Sequence, residues 1–104
     1  MNLQNKKVLL MGLGILGGGV ATAKWLLRQG AALTITDMKE KEALAPSLLK
    51  IEEFSKETKS QIKYVLGGHE IQDFLENEVI VINPDVPVDN PFVNAAREAG
   101  KQIE

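Results

Sequence analysis

Three glycines, Gly12, Gly14 and Gly17, and one acid, Asp37, carry the chemistry that is most directly legible in this chain. The glycines satisfy G-x-G-x-x-G. In that spacing the first makes the turn, the second lets a phosphate approach the backbone, and the third is expected to let a helix pack closely on a strand. A helix starting there aims its free N–H groups and the positive end of its dipole at the ligand, an anion site that needs no charged side chain. Asp37 follows Gly17 by twenty residues, at the end of a second apolar segment. Such folds place a carboxylate there for a nucleoside hydroxyl or a base edge. Together these residues point to nucleotide recognition. The alternative is that the glycines serve only helix–strand packing and Asp37 is a solvated strand end.

Other chemistry is sparse. His69, the only histidine, follows Gly67-Gly68, and the chain has no cysteine. Without a second soft ligand it is not a metal site, and it is expected to be a loop residue or helix cap that could also touch a substrate. Asp85 is a single carboxylate between two prolines, the composition of a turn. There is no G-x-x-x-x-G-K-[ST] and no nucleophile–base pair. No catalytic residue and no metal ligand is therefore assigned to this chain.

The elements that must position these residues alternate in type. Residues 8–11 and 79–82 are short, wholly apolar runs, as expected of parallel strands covered on both faces. A helix is predicted over 15–29, stopping at Gly30, with Leu16, Val20, Ala23 and Leu27 on the face that meets the sheet. Trp25 lies off that stripe, expected either half-buried under a loop or presented as a contact surface. Residues 32–36 and 61–66 read as further strands, with a helix over 46–59 between them whose apolar stripe is Leu44, Leu48, Ile51 and Phe54. A short helix over 70–75 precedes the strand at 79–82. After it, Asn83-Pro84-Asp85-Val86-Pro87 forms a stiff loop, Asn90-Pro91 caps a last helix to residue 99, and 101–104 begins another strand. The fold class is α/β: a Rossmann-like open parallel sheet of about five strands with helices on both faces, one domain over 1–104.

Composition narrows the partners. Hydrophobic residues make up 44% of the chain, an ordinary globular share. Twelve basic residues against fourteen acidic ones give a net charge of -2, with no basic stripe, which argues against nucleic acid. Lys6-Lys7, the apolar run and Ala21-Thr22-Ala23 superficially resemble a secretory signal. The run contains the whole phosphate fingerprint, however, and is shorter than the roughly 20 residues a membrane span needs. No membrane partner is expected. The lack of cysteine fits a reducing cytoplasm.

With the glycine turn, Asp37, the G-G-H at 67–69 and the N-P-x-V-P loop in order, the chain resembles the N-terminal domain of the Mur ligases over residues 6–104. Within that family it looks most like the branch that adds D-glutamate to UDP-N-acetylmuramoyl-L-alanine in peptidoglycan synthesis. The resemblance implies a Rossmann-like domain that holds the UDP of the muramoyl substrate. It also implies that ATP, Mg2+ and the catalytic residues belong to a central domain, that a C-terminal domain helps bind the amino acid, and that this chain alone is inactive. Carried over by position, Gly12, Gly14, Ile15, Leu16 and Gly17 would lie against the diphosphate. Asp37, Met38 and Lys39 would face the uracil, and Asn83, Pro84 and Asp85 would line the pocket. Two departures stand out: Leu16 replaces a frequent Ser or Thr, and Asn-Pro-Asp replaces the usual Ser-Pro-Gly, which sets an acid near an anionic ligand. The same glycines and Asp37 would equally serve an NAD(P)-binding module of an oxidoreductase or sensor, or a scaffold that has kept the fold without the ligand.

Overall fold

The two wholly apolar runs become adjacent central strands. In the computed structural model, which describes residues 2–104, the elements follow as β1 (Lys7–Met11), α1 (Gly18–Arg28), β2 (Ala32–Asp37), α2 (Ala45–Thr58), β3 (Ile62–Leu66), α3 (Ile71–Glu76), β4 (Val79–Ile82), α4 (Pro91–Glu98) and β5 (Gln102–Ile103). The strands form one sheet in the order β3-β2-β1-β4-β5. All pairs are parallel, with Val8 opposite Leu33 on one side and Val79 on the other. The order reverses between β1 and β4. In open α/β sheets a crevice opens at that point, outside the carboxyl ends of the strands.

Side chains that alternate along each strand supply two cores. Val8, Leu10, Leu33 and Ile35 face α1 and α2, where they meet Val20, Ala23, Leu26, Leu27, Leu44 and Ile51. Leu9, Met11 and Ile80 face α3 and α4, where Phe74, Val93 and Ala96 cover them. The fully buried Leu, Ile, Val and Phe side chains each contribute about 2 kcal/mol from burial alone, so both faces of the sheet anchor its carboxyl end. The expected α/β sheet of five strands with helices on both faces is what the chain forms. Among the described residues no helix is long and apolar enough to cross a membrane.

The first helix differs from its sequence pattern. It begins at Gly18, not at residue 15, because Gly17 adopts φ 98° and breaks the helical path immediately before it. Leu16 therefore belongs to the loop and is 88% exposed, while Val20, Ala23 and Leu27 do face the sheet and Leu26 joins them. The packing role assigned to Gly17 moves as well. Nothing lies within 4 Å of a Cβ built at Gly17, whereas one at Gly19 would run into the Leu13 carbonyl. Gly19 is the residue that lets α1 rest on the β1 turn; Gly17 supplies the positive φ. Trp25 is 51% exposed and lines an apolar hollow with Leu3, Leu26 and Val79. At the other end of the chain, Asn90 caps α4 as its sequence suggests, its side chain accepting from the Val93 N–H at 2.9 Å, with Pro91 first in the helix.

Candidate functional site

Three chain segments end at the crevice, and hydrogen bonds tie them together. Gly12 N–H donates to the Thr36 carbonyl at 2.8 Å and Asn83 N–H donates to the Met11 carbonyl at 3.0 Å, so the ends of β1, β2 and β4 are joined past the last sheet pairs. The Asn83 side chain donates to the Gly12 carbonyl at 3.2 Å and its Oδ1 accepts from Asp85 N–H at 3.1 Å. Val86 then folds over the turn: a Cβ on Gly12 would lie 2.6 Å from its Cγ2, and Gly12 has φ 92°. Glycine is required there on both counts.

Asp37 closes the turn from the β2 side. It is 8% exposed. One carboxylate oxygen accepts from the N–H groups of Leu13 at 2.8 Å and Gly14 at 3.1 Å, and the other from Lys39 N–H at 2.9 Å. Bonds from neutral amides to an ionised acceptor are among the stronger hydrogen bonds in proteins. On the other side Ser47 Oγ, from α2, donates to the Gly14 carbonyl at 2.7 Å. The first amides of the glycine turn are thus engaged by protein. Among the described residues nothing accepts from the amides of Ile15, Leu16 and Gly17, and the first hydrogen bond of α1 is Ala21 N–H to the Gly17 carbonyl at 3.0 Å. An anion would meet amides 15–17 and the first turn of α1, where the helix dipole adds its own attraction.

The cleft so formed has a volume of about 330 Å³. Gly12, Gly14, Ile15 and Leu16 line one wall, Asp37, Met38 and Lys39 a second, and Asn83, Asp85, Val86 and Pro87 a third, with His69 between the second and third. Of the residues singled out in the sequence, only Gly17 and Pro84 stay outside this lining. Val86 and Pro87 are not among the residues the sequence singled out, although their place after a central strand was the available signal. Ser47 has no local signal, since only the packing of α2 against the turn brings it there. Asp85 is exposed and lines the cleft, so the loop keeps this residue at the rim.

His69 is a loop residue, as expected, but not a cap: the N-cap of α3 is Glu70, and the helix begins at Ile71. Its Nδ1 lies 2.7 Å from Oγ1 of Thr36, a fully buried residue. Its ring meets Phe74 and Phe92 edge to face, at 6.1 and 5.2 Å between centroids. Burial pushes its pKa below the ordinary histidine value, against the smaller upward pull of the Asp37 carboxylate. Among the described residues no group of three or more His, Cys, Asp or Glu side chains could hold a metal ion.

Comparison with known proteins places this geometry among relatives. Residues 6–104 match the family model described as Mur ligase MurD-like, N-terminal domain. The chain is 40% identical over 101 residues to the UDP-N-acetylmuramoylalanine--D-glutamate ligase of Borreliella afzelii, covering 97% of this chain and 22% of that protein. The chain spans about a fifth of the length of the curated relatives it matches. Among solved structures, a pseudomurein peptide ligase type C from Methanothermus fervidus superposes with a TM-score of 0.63 at 24% identity, over 95% of this chain and 18% of that one. A minor L-lactate dehydrogenase from Enterococcus mundtii superposes with a TM-score of 0.55 at 14% identity, over 94% and 35%. Those two likenesses concern the fold alone. The oxidoreductase alternative falls, because the sequence match runs to the ligase domain along the whole sheet.

Proposed function

This chain belongs to the MurD-like N-terminal domain family of the Mur ligases, and from that premise we propose that it binds the UDP moiety of UDP-N-acetylmuramoyl-L-alanine within a longer, ATP-dependent D-glutamate-adding ligase. The observation that carries the reading is the convergence, around one cleft at the carboxyl ends of β1 and β4, of unpaired turn amides, the Met38-Lys39 edge and the Asn83 loop. In this reading amides 15–17 and the first turn of α1 hold the diphosphate. Met38 and Lys39 border the uracil, and Asp37 acts mainly by holding the turn in its binding shape. Asn83 fixes the third wall.

The parent enzyme would activate the muramoyl-alanine carboxylate with ATP and Mg2+ and join it to the D-glutamate amine. In this reading the residues of this chain take no part in that chemistry, and the sequence carries no phosphate-loop motif. They bind and orient. Central and C-terminal domains are the expected partners, and the cysteine-free composition agrees with work in the cytoplasm.

Backbone amide NMR of the 104-residue chain, titrated with UDP and separately with NAD, tests the proposal. UDP is expected to move the amides of residues 12–17, Asp37 and Asn83, while NAD leaves them in place. Shifts with NAD alone, or with neither ligand, would overturn it.

A further inference from the structure

His69 has one ring nitrogen committed and one free. Nδ1 faces Thr36 Oγ1 at 2.7 Å, and the same oxygen lies 3.3 Å from the Gly68 carbonyl, which can only accept. A threonine hydroxyl has a single proton to give. If that proton goes to Gly68, His69 must donate from Nδ1 and both contacts are hydrogen bonds. If it goes to Nδ1, the contact to Gly68 is lost. The arrangement that satisfies both has His69 Nδ1–H donating to Thr36, and Thr36 donating to Gly68. It leaves Nε2 of the neutral ring as a lone-pair acceptor.

That acceptor is not enclosed by protein. The ring lines the cleft, Phe74 and Phe92 hold it from α3 and α4, and no described residue hydrogen-bonds to Nε2. No buried side-chain nitrogen or oxygen lacks a partner among the described residues, so Nε2 is open to solvent or ligand and not sealed away. An anion is served by donors, which here are the turn amides; a lone pair repels it. What a lone pair accepts is an N–H or an O–H.

We propose that His69 Nε2 reads the nucleoside part of the ligand by accepting a hydrogen bond from a donor on it, the imide N–H of a pyrimidine or a sugar hydroxyl, and makes no contact with the phosphates. This rests on the nucleotide reading of the cleft and adds to it a specificity residue from the G-G-H segment. Asp37, at the end of β2, is the charge that acts on the ring; Lys39 and Asp85 line the same cleft, and α3 and α4 present Phe74 and Phe92 to it. Protonation would convert Nε2 from acceptor to donor and remove the interaction. Burial delays that step to lower pH than for a free histidine.

The test is ¹⁵N NMR of the His69 ring in the 104-residue chain, free and with UDP, N3-methylated UDP or inorganic pyrophosphate. The free protein is expected to show the Nδ1–H tautomer. UDP should move the Nε2 signal and pyrophosphate should not, even where it moves the amides of residues 15–17. Loss of the effect with N3-methylated UDP assigns the donor to the imide, and its retention assigns it to the sugar. His69→Phe, which preserves the ring packing, should weaken UDP roughly fivefold, as for loss of one hydrogen bond, while leaving pyrophosphate binding unchanged. The Nε2–H tautomer in the free protein would overturn the inference. So would UDP shifts at residues 12–17 with a silent Nε2. If UDP moves neither the turn nor the ring, the nucleotide reading itself fails and takes this inference with it.

Discussion

Two hollows lie at opposite ends of the same sheet, and the larger one is the less promising. At the amino ends of the strands, Lys7, Thr34, Gln61, Lys63, Asp73 and Asn77 are among the residues around a space of about 430 Å³, against about 330 Å³ at the carboxyl ends. Several polar groups of the larger hollow are already spent on protein partners. Lys63 Nζ lies 3.0 Å from the nearly buried Asp73 carboxylate, whose hydrogen bond and charge hold the lysine pKa above its ordinary value. Asn77 donates to the Asp73 carbonyl at 2.7 Å, and Lys7 N–H donates to Glu78 at 2.9 Å. At the carboxyl ends the side chains are spent as well, but on holding backbone in place. Among the described residues that leaves a row of turn amides and one ring nitrogen without hydrogen-bond partners. A binding site is marked by unspent donors and acceptors on a rigid frame more than by volume.

Gly19→Ala should break the frame of the smaller hollow most severely. Its Cβ meets the Leu13 carbonyl, and pushing α1 off the turn is expected to cost about 3 kcal/mol in urea denaturation. The neighbouring Gly18→Ala meets nothing within 4 Å and should be neutral or stabilising by about 0.5–1 kcal/mol. Equal effects at the two positions would remove the distinction drawn between them.

Asp37→Asn comes next. One of its two acceptor oxygens becomes an NH2 facing N–H groups, so the turn should lose about 2 kcal/mol and the UDP-dependent shifts of residues 12–17 should shrink. Lys63→Met is the matching change at the other end. It strips Asp73 of its partner and lowers the denaturation midpoint slightly, but leaves the dissociation constant for UDP unchanged. A loss of UDP binding there would make the larger hollow the site.

Asp85→Asn should tighten UDP modestly, by roughly twofold. That matches about 0.5 kcal/mol of relieved repulsion between charges several ångströms apart in water, and the gain should fade as salt is added. The smallest effect concerns pH. His69 has a folded pKa below its unfolded value near 6.5, so the unfolded chain binds the extra proton first. Stability is therefore full above about pH 6.5 and declines as pH falls toward the folded pKa. His69→Gln should flatten that decline in a pH series of melting temperatures.

The order of elements was largely legible from the chain because local signals agreed with global packing. The apolar run at 79–82 has the limits of β4, and Asn90-Pro91 starts α4 by capping chemistry that is complete within four residues. Leu16 misled because its helical spacing from Val20 is real in sequence but void once Gly17 takes a left-handed conformation. The packing role passed from Gly17 to Gly19 for a related reason. Motif spacing says where a glycine stands, whereas the Leu13 carbonyl that makes one indispensable lies across a packed interface.

By itself, then, the sequence determined the alternation of strands and helices, the glycine turn, the acid at the end of β2 and the family resemblance, all of which reside in short-range pattern. Only the tertiary structure decided that Asp37 spends its carboxylate on the turn, that Ser47 holds the turn's far side, and that Thr36 sets the free nitrogen of His69. Those pairs are 23, 24 and 33 residues apart in the chain. Hydrogen-bond partners at such separations are chosen by strand order and register, which no local pattern encodes.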